Sequence, residues 1–207
     1  MQPWGIMPSG TSPLRSLHPA LFAQILQIFQ VVAPLGDAIG AAMFREMRRK
    51  KQLLSEAETV KILKTHTSGV LGVSGDDEYP YTVPLSYAYK DNKLFFHCAK
   101  SGHKLDGIAR NDKVTFCVID KDEVIQRTFT THFRSVIVFG RARILTEDSE
   151  RQAALECLVE KYSPDFVQEG QAEIKRDWNK VCLVEVNIEH LTGKEAIELV
   201  KNATSQG

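Results

Sequence analysis

Six strand-like apolar runs, three of them with the clear two-residue period of a half-buried strand, constrain this 207-residue chain more than any other feature. They are Val70–Ser74, Tyr81–Tyr89, Leu94–Cys98, Val114–Ile119, Phe133–Ile144 and Val181–Ile188. The period sets Leu94, Phe96 and Cys98 on one face of their strand and Phe95 and His97 on the other. Val114, Phe116 and Val118 point one way, as do Cys182, Val184, Val186 and Ile188. Phe133–Ile144 alternates little in its middle, so both of its faces are expected to be covered. Gly75-Asp76-Asp77-Glu78 and Asp91-Asn92 read as turns. Three short helices are expected. Ser55 and Glu58 form a capping box before one, with Ala57, Val60 and Leu63 inward. Ser101 caps a second through Arg110, with Leu105, Ile108 and Ala109 inward. Thr146 caps the third, whose stripe is Leu155, Leu158, Val159 and Tyr162. Strands do not alternate regularly with helices, so a doubly wound sheet fits poorly. The expected class is mainly β with short helices (α+β), a six-stranded antiparallel barrel.

Residues 1–42 are a different material. They carry two charged side chains, Arg15 and Asp37, and five of the eight prolines. The apolar stretch Ala20–Val32 is interrupted by Gln24, Gln27 and Gln30, too short and polar to span a bilayer. Three readings stand open: a loosely attached amphipathic helix, a disordered or membrane-surface segment, or translated sequence upstream of a true start at Met43. The third is preferred, so the domain is expected over 43–207. Formal net charge is zero, which argues against a nucleic-acid binder. The basic run Arg48-Arg49-Lys50-Lys51 reads as a solvated lead-in to a helix. Cys98, Cys117, Cys157 and Cys182 contain no CxxC pair and read as reduced thiols of a cytoplasmic protein. No nucleotide fingerprint, nucleophile elbow or metal-ligand spacing appears, so no metal is expected.

The stretch most able to hold a ligand is Leu94 to Asn111, LFFHCAKSGHKLDGIARN. A strand runs directly into the N-terminus of a short helix, where free N–H groups and the dipole favour an anion. Gly102 lets the backbone come close to a ligand. His103 and Lys104 sit in the first turn. A lysine there is unfavourable for the helix alone and sensible beside a phosphate. Pro84 cannot donate to a ladder and marks an edge or bulge, leaving main chain near Leu85 and Ser86 free for a ligand. Ser135 offers a hydroxyl to a phosphate or ring edge, while Arg134 reads equally as a seam residue or a surface salt bridge.

These residues resemble the pyridoxamine 5′-phosphate oxidase-like flavoproteins, which share an FMN-binding split β-barrel. In them an aromatic strand end leads to a phosphate-holding element, here Phe95-Phe96-His97-Cys98 followed by Ser101 and His103-Lys104. The arginine expected before Lys104 is His103, and the residues that hold pyridoxal have no match. The resemblance is closer to the NimA-like (5-nitroimidazole resistance) branch. MRRKKQLLS at 47–55, YTVPLSYAY at 81–89, LFFHCAKSGHKLD at 94–106 and FRSVIVFGRARIL at 133–145 carry it, with Thr192-Gly193-Lys194-Glu195 near the end. It implies a six-stranded split barrel, a homodimer and FMN at the subunit interface. It implies FMN contacts from Pro84, Leu85, Ser86, His97, Ser101, Gly102, His103, Lys104, Arg134 and Ser135, with His97 beside the flavin as the catalytic residue.

The leading functional expectation is an FMN-dependent oxidoreductase that passes electrons to a nitroaromatic or another small acceptor, with no stable membrane insertion. The alternatives are a non-enzymatic split barrel that binds flavin or haem, and a bare barrel used as an interaction module.

Overall fold

The computed structural model describes residues 44–204; the readings of residues 1–42 fall outside them. Helix α1 (Glu56–Thr65) opens as the sequence predicts. Ser55 Oγ accepts from the Glu58 N–H, and the Glu58 carboxylate accepts from the Ser55 N–H. Its buried face is Thr59, Ile62 and Leu63, not the predicted Ala57 and Val60. Strands β1 (Ser68–Ser74), β2 (Pro80–Ser86), β3 (Ala88–Lys90) and β4 (Lys93–Cys98) follow. Asp91 and Asn92 both adopt positive φ, which matches the right-handed twist of the β3–β4 hairpin. After helix α2 (His103–Arg110) come β5 (Lys113–Ile125) and β6 (Thr130–Ile144), a long hairpin. Helices α3 (Asp148–Tyr162) and α4 (Val167–Asp177) precede β7 (Cys182–Glu195) and α5 (Ile197–Thr204).

One antiparallel sheet of seven strands runs β2-β1-β5-β6-β7-β4-β3, one strand more than expected. The extra strand arises because Tyr81–Tyr89 breaks at Tyr87: β2 ends at Ser86 on one edge of the sheet, and β3 starts at Ala88 on the other. Two edges joined by a single residue oblige the sheet to curl upon itself, and β2 and β3 do not pair. The barrel is therefore split at Tyr87. Its interior holds Leu71, Leu94, Phe96, Phe116, Val118, Val136, Val138, Val184 and Val186, all at most 1% exposed. The alternation read from the sequence points Leu94, Phe96, Phe116, Val118, Val184 and Val186 to this side of their strands.

The seam is held from outside by the end of α3. The Tyr162 hydroxyl accepts from the Tyr87 N–H (2.9 Å) and lies 2.8 Å from the Tyr87 carbonyl and 2.5 Å from that of Thr67. Lys161 Nζ donates to the His66 carbonyl and sits 4.1 Å from the centre of the Tyr87 ring. Burial lowers the pKa of this ammonium. Tyr162→Phe should cost about 1–3 kcal/mol, because the Tyr87 N–H and carbonyl lose their partner at a buried joint. A urea denaturation midpoint measures the loss; an unchanged midpoint would show that water replaces the hydroxyl freely.

Other expectations need correction. β6 does alternate: Val136, Val138 and Ala142 are buried, while Ile137 is 42% exposed and Arg141 is exposed. In β7 the face opposite the barrel is also covered, for Leu183 packs beneath α3 and Glu185 is buried between Lys93 and Arg143. Neither Ser101 nor Thr146 caps a helix; the N-caps are Gly102 and Glu147, without side-chain bonds. Ala109 is exposed, its inward place taken by Gly107. Among the described residues no helix is long and apolar enough to cross a membrane.

Candidate functional site

The candidate site begins where β4 enters α2. Leu94 and Phe96 are fully buried in the barrel, so the strand's period turns His97 outward, where it is exposed. Cys98 turns inward again and faces Cys182 across the β4–β7 ladder. Burial and the neighbouring thiol push the Cys98 pKa up to about 11, while the nearby Lys104 ammonium pulls the other way. Lys104 thus stands beside the end of β4. Gly102, at φ 136, is the N-cap of α2, in a backbone region that disfavours a side chain. Its carbonyl accepts from the Leu105 and Asp106 N–H groups. The N–H groups of His103 and Lys104 have no partner among the described residues. Lys104 has no ion pair there either, and the Ser101 hydroxyl is exposed and unpaired. One ammonium, two free amides and one hydroxyl form a donor set suited to a phosphate monoester. His103 is differently engaged. Its ring stacks on Tyr81 at 4.0 Å, and its Nε2 lies 3.5 Å from the Asp76 carboxylate, which Arg110 also binds.

His97 and Ser86 open onto one cavity of about 630 Å³. The seam explains this meeting: Ser86 ends β2, Tyr87 crosses to the other edge, and β3 pairs with β4. Leu155, Leu158 and Val159 of α3 and Ile174 of α4 form its apolar walls, and Tyr162 stands at the joint. The sequence shows the α3 stripe as an apolar helix face without marking it as a cavity wall, and α4 is not among the helices expected from it. The signal available was the spacing of four between Glu169, Glu173 and Asp177, with Ile174 on the same side.

The remaining predicted residues lie elsewhere. Pro84 is on edge strand β2, as expected, facing outward in a row that continues through Val70, Cys117 and Ile137. The Leu85 side chain packs on the barrel core. Ser135 shares the outer face with Ile137, three strand spacings from Pro84, roughly 14 Å. Arg134 is held by Glu195 at 2.8 Å and Asp120 at 3.6 Å, the salt-bridge arrangement. Neither Arg134 nor Ser135 lines the cavity.

A family model described as pyridoxamine 5′-phosphate oxidase matches residues 55–195. No curated protein matches the chain. Among solved structures, a Bacteroides thetaiotaomicron protein assigned to 5-nitroimidazole antibiotic resistance is 18% identical, with a TM-score of 0.56 over 69% of this chain and 86% of that one. A conserved hypothetical protein of Mycobacterium tuberculosis is 20% identical, with a TM-score of 0.62 over 72% and 90%. The flavocytochrome Anf3 of Azotobacter vinelandii is 17% identical, with a TM-score of 0.60 over 75% and 74%. At these identities the likenesses establish the fold.

Proposed function

This chain belongs to the pyridoxamine 5′-phosphate oxidase family, and from that membership we propose that it is a flavin-dependent oxidoreductase holding FMN between two copies of itself. The observation that carries the reading is the unsatisfied donor set at the start of α2, next to the strand end that presents His97. Lys104, the amides of His103 and Lys104, and the Ser101 hydroxyl would hold the FMN phosphate. Ser86 and the main chain of edge strand β2 would meet the flavin ring. The bound flavin supplies the electron transfer, and the protein supplies binding, orientation and access. The name of the flavocytochrome also supports a redox cofactor on this fold.

The second copy is supported by the outer face of β1, β5 and β6. There Val70, Ile119 and Ile137 are 36%, 61% and 42% exposed, a contiguous apolar area of the kind that marks interaction surfaces. Such a pairing would bring the partner's groups toward a ring that one barrel cannot enclose. The acceptor we propose is a small nitroaromatic or a similar reducible compound, in keeping with the name of the Bacteroides protein. An absorption spectrum of the purified chain tests the reading. Flavin bands that persist through gel filtration of a dimer are expected; a haem band alone, or none after incubation with FMN, would overturn it.

His97 is the proposed catalytic residue, because it faces the cavity while its neighbours on β4 face the core. Imidazole can donate a proton to a reduced acceptor at neutral pH. His97→Ala should slow reoxidation of the reduced flavin by a nitro compound roughly a hundredfold or more, with dimer and FMN content unchanged. Unaltered stopped-flow rates would assign His97 to packing.

A further inference from the structure

The cavity beside His97 has a chemical bias that family membership does not supply. Its walls are apolar, and Phe166, 59% exposed, adds an aromatic ring at the rim. Its charged lining consists of Glu169, Glu173 and Asp177; no lysine or arginine of the described residues lines it. A surface helix usually turns such a stripe to bulk water. Here Gly170 lets α4 sit close upon α3, for a Cβ at that position would come within 2.5 Å of a Val159 methyl. The stripe therefore borders the cavity. Arg176 reaches Glu173 and Asp177, and Lys180 reaches Asp177, both from outside the lining. Glu169 has no ion-pair partner among the described residues. A phosphorylated substrate such as the one that names the family would enter as a dianion and meet carboxylates.

We propose that this cavity is the acceptor pocket, and that it takes flat apolar molecules bearing a positive charge while excluding phosphorylated ones. The word acceptor rests on the flavin reading; the charge preference does not. Apolar walls would bury the ring system, Phe166 would offer an aromatic face to the cation, and Glu169, with no ion-pair partner among the described residues, would be its first counter-charge, backed by Glu173. His97 and Ser86 would close the inner end with two polar groups, the usual pattern of a small-molecule site.

Titration calorimetry on the full chain, with and without added FMN, tests this with three biphenyl probes of one size: an amidine, an amide and a carboxylate. The amidine should bind about tenfold more tightly than the carboxylate, as expected for a partly exposed charge pair. In the variant Glu169→Gln/Glu173→Gln that difference should largely vanish while the amide's affinity stays constant. Both positions are exposed, so folding is preserved. Equal binding of the amidine and carboxylate, or a preference that survives the double substitution, would overturn the proposal. A charge preference in protein that shows no flavin band would sustain the pocket and remove the flavin reading. A flavin-loaded protein without the preference would remove only the pocket.

Discussion

Lys104→Ala should weaken FMN binding about ten- to a hundredfold and leave riboflavin binding nearly unchanged. Riboflavin lacks the phosphate, so it reports on the ring site alone. A hydrogen bond to a charged group contributes roughly 1.5–3 kcal/mol, which is that range of affinity. The side chain is half-buried and makes no ion pair among the described residues. Its loss therefore leaves no carboxylate stranded, and the fold should survive. The remaining amides and the Ser101 hydroxyl would still attract an anion, so binding falls without disappearing. Lys104→Arg should recover part of the loss, since the charge is kept and the reach altered. Fluorescence quenching titrations with the two flavins measure the ratio. An equal loss for both would place Lys104 in the folding of the β4–α2 joint and leave the phosphate without its cation.

Phe116→Ala should remove about 3–5 kcal/mol of stability, the cost of a fully buried aromatic truncation. The ring is 1% exposed. It meets Tyr87 edge-on at 4.8 Å and fills the space above Gly69, where a Cβ would fall 2.3 Å from its Cε1. It therefore joins β5 to the split between β2 and β3. The backbone beneath cannot collapse into the void, because β1 is locked by pairing to both β2 and β5. Domains of this size are stable by roughly 5–15 kcal/mol in total, so a large part of the folded population is at stake. Urea melts followed by circular dichroism give the figure. A loss under about 1 kcal/mol would mean that the seam side of the barrel is loosely packed.

What could be read in the sequence depended on whether local periodicity expressed a local fact. Leu94 and Phe96, and likewise Val114, Phe116 and Val118, are legible as one face of their strands because a strand alternates its side chains whatever it pairs with. The Ser55–Glu58 capping box and the Asp91-Asn92 turn were legible for the same reason: each is completed within four residues. The break at Tyr87 was not. Tyr81–Tyr89 is rich in aromatic and β-branched residues on both sides of Tyr87, and although Pro84 marks an edge or bulge, nothing local tells a continuous strand from two edges of one sheet. Likewise β6 read as covered on both faces, since Ile137 and Val138 are equally apolar and only pairing reveals which one meets the core.

The sequence by itself determined a mainly β chain, the outward turn of His97 and the donor-rich strand-to-helix joint around Lys104, because those follow from period, end geometry and residue type. The tertiary structure decided that His97 and Ser86 share a cavity, that Tyr162 holds the seam, that Arg134 is held by Glu195, and that the α4 carboxylates border the cavity. Each depends on a contact between residues far apart in the chain, and a contact of that kind is set by how the sheet curls and where helices pack on it. No local pattern encodes the curl; it follows from one residue having to connect the two outermost strands.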